Sequence, residues 1–255
     1  MKQNIKYSVI IILIFLFAAF GKHISDIFFT TSFSSSLYNI FYSYIWWIIP
    51  TIIVLGILYG FKDIFKNIGV NKNFIKGLIF TAITVSPMFI SSVIIGKIDE
   101  NLKIASLLHK TIIAGFMEEY FFRGFLFGIL FRKLGWGFIP ASIIGALFFG
   151  FGHLYQGSTF LEETSVFLVT SIGAIWFSWL YIEWDNNLWV PIFLHTFMNL
   201  SWILFEVSDN AIGGAYTNTF RILTIALTII VTIFYHKKTG LRINKNNIMI
   251  NNNNC

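Results

Sequence analysis

The chain has 255 residues, 56% of them hydrophobic and 12% charged, with a formal net charge of +6, and its mean hydropathy is +0.73. This composition excludes an ordinary soluble domain, and apolar runs of about 20 residues, the length that crosses a bilayer's hydrocarbon, leave no room for a sizeable soluble part. The lone cysteine, Cys255, excludes an intramolecular disulfide and is not expected to head a prenylation box, which needs three residues after it.

The expected fold is all-α, a polytopic transmembrane bundle of about eight helices forming one integral membrane domain over 1–255. A closed β-barrel is disfavoured because the runs do not alternate polar and apolar residues. In chain order the helices are expected near 7–21, 38–60, 74–95, 108–131, 138–156, 165–182, 187–206 and 219–235. The first follows Lys2 and Lys6 and leads to Ala18 and Ala19, which resembles a signal peptide; the many later spans favour a retained anchor. Pro50 and Pro87 fall inside spans and Pro191 near the start of another, where neighbouring helices tolerate them. The fifth helix is rich in small residues (Ala141, Gly145, Ala146, Gly150, Gly152), which suits close helix packing. The Asn-rich tail, over 240–255, is expected to be disordered.

The positive charge could suggest nucleic acid, but its distribution points to topology. Lys2, Lys6, Lys62, Lys66, Lys72, Lys76, Arg132, Lys133, Lys237, Lys238, Arg242 and Lys245 fall at the termini or in alternate loops. The intervening loops keep Lys22, Lys97, Lys103 and Lys110, while those with Glu162, Glu163, Glu206 and Asp209 carry no lysine. Both termini are therefore expected in the cytoplasm, with lipid headgroups rather than nucleic acid as the partner of the basic residues. An Asn-, Ile-, Lys- and Phe-rich composition further suggests an AT-rich genome and a bacterial plasma membrane.

Ionisable groups at hydrocarbon depth are costly and usually face a cavity and a partner. The fourth run carries Gly115-Phe116-Met117-Glu118-Glu119-Tyr120-Phe121-Phe122-Arg123-Gly124. Glu119 and Arg123, four apart with the acid first, should form an ion pair. Glu118 lies about 100° round the helix, so the two carboxylates should face different neighbours. The fifth run ends on Phe149-Gly150-Phe151-Gly152-His153, and the seventh sets His195 and Asn199 one turn apart, so that two donors could converge. At 1.5 Å per residue, Glu118 lies roughly 12 Å from Lys110, His153 roughly 14 Å from Glu162 and His195 roughly 15 Å from Asp185, all near mid-membrane. Singly, each group has a bland role as a helix brace, a packed histidine or an interhelical hydrogen bond; matching depth makes a shared site the better reading.

Glu118-Glu119-x-x-x-Arg123, Phe149-x-x-x-His153 and His195-x-x-x-Asn199 resemble, in order and spacing, the three motifs of the CAAX protease and bacteriocin-processing (CPBP, Abi-type) family of intramembrane endopeptidases. The resemblance covers a catalytic core over 105–205, and the first three helices add only a compatible hydropathy pattern. It implies peptide-bond hydrolysis inside a helical bundle whose cavity admits water and an extended peptide. On that reading Glu118, set among Phe116, Phe121 and Phe122, is the general base on a water, assisted by His153. His195 and Asn199 stabilise the oxyanion, and Glu119 with Arg123 orients the base.

The same residues admit a metal mechanism, in which Glu118, His153 and His195 hold a catalytic zinc and Glu119 is the base. The metal-free version is favoured because the short His-x-x-x-His zinc helix is absent, and no cofactor is required in it. The expected substrate is a peptide or the membrane-proximal tail of a protein, prenylated tails included. Two other functions remain open. One is a non-cleaving bacteriocin-immunity or binding protein of the same fold. The other is a proton-coupled transporter with Glu118 and His195 in a relay, against which no pair of matching broken helices is seen.

Overall fold

A computed structural model describes residues 2–28, 36–98, 100, 102–208 and 210–251. It is a helical membrane bundle, and no strand occurs among the described residues. The elements are α1 (Lys2–Phe28), α2 (Ser36–Tyr59), the short α3 (Ile64–Ile68) and α4 (Phe74–Ile95). A continuous helical rod over 104–133 follows, made of α5 (Ile104–Leu108), α6 (Ala114–Glu118) and α7 (Gly128–Lys133) joined by π-helical stretches at His109–Ile113 and Glu119–Phe127. Then come α8 (Phe138–Phe151), α9 (Phe160–Glu183), α10 (Trp189–Ile203) and α11 (Ala215–Tyr235).

Among the described residues six helical segments (α1, α2, α4, α8 extended by the turn that follows it to Gln156, α9 and α11) are long and apolar enough to cross a membrane. The count departs from eight because the rod and α10 fall short of that standard. The rod is interrupted by charge and by changes of winding, and α10 has only 15 residues; these two elements carry Glu118, Glu119, Arg123, His195 and Asn199.

The bundle turns apolar side chains outward as well as inward, as a bilayer solvent allows. On α1, Ile5, Val9, Leu13 and Phe17 are exposed at four-residue spacing, while Ile11, Phe15 and Ala18 are at most 1% exposed. The core centres on the rod, where Phe121, Phe125, Leu126, Ile129 and Leu130 are fully buried against α1, α2 and α8. Phe121 stacks on Phe15 and Trp47 with centroids 4.5 Å apart in both cases. α11 packs a buried stripe of threonines: Thr228 and Thr232 accept hydrogen bonds from the Trp176 and Trp184 indoles at 3.2 and 3.0 Å. Such bonds tie helices together where water cannot.

The connecting segments at one end of the bundle are knitted together. Asp185 bridges Lys72 at 2.9 Å and Arg242 at 3.1 Å. Partial burial works to raise its carboxyl, but the Lys72 hydrogen bond and the charges of Arg242, Lys72 and Lys76 outweigh it and hold the group below the usual carboxylate range. Arg132 donates to the carbonyl of Asn67 at 2.7 Å, and Gly69 ends α3 at φ 89°, a left-handed conformation that glycine adopts without steric cost.

The expectation of a disordered tail does not hold for residues 240–251. Buried Glu183 accepts the backbone N–H groups of Arg242 and Ile243 at 2.9 and 3.0 Å, and His236 Nε2 donates to the Glu183 carbonyl at 2.8 Å. Asn251 donates to the Phe131 carbonyl, and the N–H groups of Phe138 and Ile139 at the start of α8 donate to Asn247 and Ile248. The asparagines thus satisfy helix-terminal groups, a use that composition does not reveal. Residues 252–255 lie outside the described residues.

Candidate active site

The change of winding on the rod falls at the paired acids. Glu118 closes α6 and Glu119 opens the second π-helical stretch, a local geometry frequent at functional sites. Glu118 Oε2 lies 3.9 Å from His153 Nε2 and 3.9 Å from His195 Nε2. Glu119 Oε1 accepts from Arg123 Nη1 at 3.1 Å and meets His195 Nδ1 at 2.8 Å. The structure therefore brings Glu118, Glu119, Arg123, His153 and His195 together. It differs from the 100° expectation in one respect: the two carboxylates share a neighbour, because the imidazole of His195 presents one nitrogen to each.

Close backbone approach makes this convergence geometrically feasible. Gly115 faces α10, and a Cβ there would meet Thr196 Oγ1 at 2.5 Å. Ser171 of α9 donates to the Ala146 carbonyl of α8 at 3.1 Å. His153 lies just past the end of α8, its ring 4.3 Å from that of Phe149. Its Nδ1 is 2.7 Å from the Phe149 carbonyl oxygen; a carbonyl only accepts, so Nδ1 carries a proton, and in the uncharged form of the ring Nε2 would turn its lone pair toward Glu118.

In that form the two atoms are both acceptors, and the 3.9 Å between them leaves room for a water donating about 2.8 Å to each. Glu118 Oε2 has no hydrogen-bond partner among the described residues although it is buried. Glu119 is 0% and Arg123 2% exposed. The guanidinium lies over the rings of Phe149 and Phe177 at 4.5 and 5.3 Å, which fixes its plane and adds cation–π attraction. One buried carboxylate, Glu119, and one partly buried, Glu118, against one arginine leave a negative excess that a doubly protonated His195 would cancel.

The donor set of Glu118, His153 and His195 suits zinc in its chemistry, but the spacing does not fit. Ligands around a tetrahedral zinc lie about 3.3 Å apart. The two oxygen–nitrogen separations here are wider, and among the described residues no group of three His, Cys, Asp or Glu is placed to hold a metal.

The hydrogen bond that Asn199 makes does not join it to this cluster. Its Nδ2 donates to the Lys110 carbonyl at 2.9 Å, a carbonyl within the first π-helical stretch, where wider winding makes backbone oxygens available to neighbours. Sequence reasoning also missed His109 and Tyr44. The Tyr44 hydroxyl lies 3.3 Å from His109 Nε2. The signal was present in the sequence: His109 is a titratable group in the same helical run as Glu118.

Comparison with known proteins bears on this segment. Residues 100–201 match the family model described as Rce1-like, type II CAAX prenyl endopeptidase. A curated relative, "Putative membrane peptidase YdiL" of Bacillus subtilis (strain 168), is 29% identical over 101 residues, 40% of this chain and 37% of that protein. The match thus spans little more than a third of the relative's length. No solved structure matches significantly. Together the two matches support the CPBP family for the segment that carries all three motifs.

Proposed function

With residues 100–201 taken as a segment of the CPBP type, we propose that the chain is an intramembrane endopeptidase that hydrolyses a peptide bond of a membrane-associated peptide or protein tail with water activated by Glu118. The observation that carries this reading is the Glu118 carboxylate facing the Nε2 atoms of His153 and His195 at 3.9 Å with its own Oε2 unpartnered. Three groups around one gap can hold a water and take its proton.

In the reaction Glu118 removes a proton from the water as the oxygen attacks the scissile carbonyl carbon, and neutral His153 holds the water through Nε2. The carbonyl becomes an oxyanion. His195, doubly protonated and braced through Nδ1 by Glu119, donates through Nε2 to that oxygen. Asn199, whose Nδ2 carries a second hydrogen beyond the one given to Lys110, is the second candidate donor. Collapse of the intermediate breaks the C–N bond, and Glu118 returns its proton to the leaving amine. Arg123 holds Glu119 aligned without touching substrate.

The integral membrane chain is proposed to reside in a bacterial plasma membrane with both termini in the cytoplasm, from the distribution of lysine and arginine. The test of activity uses purified wild type, Glu118→Gln and His195→Ala incubated with a pool of farnesylated and unmodified peptides, with and without a strong chelator, read by mass spectrometry. Cleavage that both substitutions abolish and the chelator spares is expected. Cleavage retained by Glu118→Gln refutes the assignment of the base, and cleavage lost in chelator refutes the metal-free chemistry. A wild type that binds a peptide without cutting it supports the non-cleaving binding protein instead.

A further inference from the structure

The two ends of the bundle differ in charge and in how they enclose the site. At one end, contacts join the basic segments into a single face. Asp185 links Lys72 to Arg242, Arg132 reaches the Lys66 and Asn67 carbonyls, Asn251 holds Phe131, and the Trp136 indole donates to Ser8 near the start of α1. The opposite end holds the C-termini of α1, α4, α8 and α10. There Gln156 accepts from the Ala211 N–H at 2.9 Å, and the segments bearing Glu162, Glu163 and Glu206 carry no lysine. By the bias of lysine and arginine toward the cytoplasm, the first end faces inward and the second outward.

Burial along the rod shows which end gives access to Glu118. From Glu119 to Phe131 every residue is buried except Phe122, which is half-buried, and fully buried Phe121, Phe125, Leu126, Ile129 and Leu130 fill the way to the basic face. On the other side of Glu118 packing is looser, with no buried residue from Ile104 to Lys110, while Ile104, Leu108 and Ile112 form an outward apolar stripe like the lipid-facing one of α1. Polar and aromatic groups mark that approach. The Tyr44–His109 pair lies there, and so does Tyr155, 80% exposed with its ring 6.4 Å from that of His153. His153 itself sits beyond the end of α8, about 22 Å along that helix from Phe138, whose N–H is fixed to the C-terminal segment on the basic face.

We propose that the site is entered from the extracytoplasmic side, so that the substrate class is a peptide segment presented at the outer surface of the membrane rather than a tail held at the cytoplasmic surface. The side of entry follows from charge and burial alone. The substrate class rests on the peptidase reading above.

The test separates the two. In a Cys255→Ser background, single cysteines are placed at Gly152, beside His153, where a Cβ meets nothing closer than the Phe148 carbonyl at 3.4 Å; at Lys238 on the basic face; and at Gly173, where a Cβ meets no atom within 4 Å, as a control within a span. Cells are treated with a membrane-impermeant maleimide before and after permeabilisation, and each variant's folding is checked by gel filtration in detergent. The expected pattern is labelling of Gly152→Cys in intact cells, labelling of Lys238→Cys only after permeabilisation, and none of Gly173→Cys in either. Labelling of Gly152→Cys only after permeabilisation, or of Lys238→Cys in intact cells, overturns the side of entry, as does a Gly152→Cys that never labels. No cleavage enters this readout, so a chain that proves not to be a peptidase leaves it intact.

Discussion

Replacing Arg123 by methionine removes the buried cation facing Glu119 while keeping most of the side chain's apolar bulk between Phe149 and Phe177. Glu119 is fully buried and its Oε1 takes bonds from Arg123 and His195. Breaking one partner of a buried ion pair costs about 3–5 kcal/mol, because the remaining charge is left without its counter-ion. At about 2–4 °C per kcal/mol for a chain of this size, the melting temperature falls by about 6–20 °C. Adding Glu119→Gln to Arg123→Met removes the stranded charge, so the double variant should recover a large part of the loss. Thermal unfolding in detergent, followed by intrinsic tryptophan fluorescence, measures all three. An Arg123→Met protein that melts within about 2 °C of wild type, or a double variant with strictly additive losses, refutes the view that these groups form one buried electrostatic unit.

Gly115→Ala drives a Cβ against Thr196 and should cost about 1–3 kcal/mol by overpacking, measured by melting, and should lower the proposed cleavage activity. Glu183→Ala leaves the N–H groups of Arg242 and Ile243 without their acceptor, and hydrogen exchange over 240–251 should accelerate while the rod is unchanged. The Asp185 carboxyl is lowered in the folded chain, so its contribution is complete above its unfolded value of about 3.9 and lost as pH falls through the lower folded value. Half-exposed Asp185 makes this a small, salt-screened effect, read as a shallower acid melting profile in Asp185→Asn at low ionic strength.

Hydropathy and the cost of intramembrane charge were enough to read an all-α bundle and to single out Glu118, Glu119, Arg123, His153 and His195. Order and spacing then supplied the family resemblance. The sharing of His195 between the two glutamates was not legible, because a regular 100° step assumes α-helical winding and the rod changes to π-helical winding at Glu119. Asn199 was grouped with His195 because they share a helix face, but Lys110 offers a backbone carbonyl that sequence does not show. The packed tail escaped for a related reason. Asn247 and Asn251 read as low complexity, whereas their amides and backbone oxygens serve the exposed ends of α7 and α8. His109 was visible as a titratable group in the rod, and only the position of Tyr44 on α2 gives it a partner.

The most direct test of the central claim is the cleavage rate of Glu118→Gln relative to wild type on a peptide that the wild type cuts, with both proteins shown to melt alike. General-base catalysis of this kind is worth about 10²–10⁴-fold, and a loss of that size with an unchanged fold is predicted. A Glu118→Gln protein that cleaves within about threefold of wild type would contradict the account.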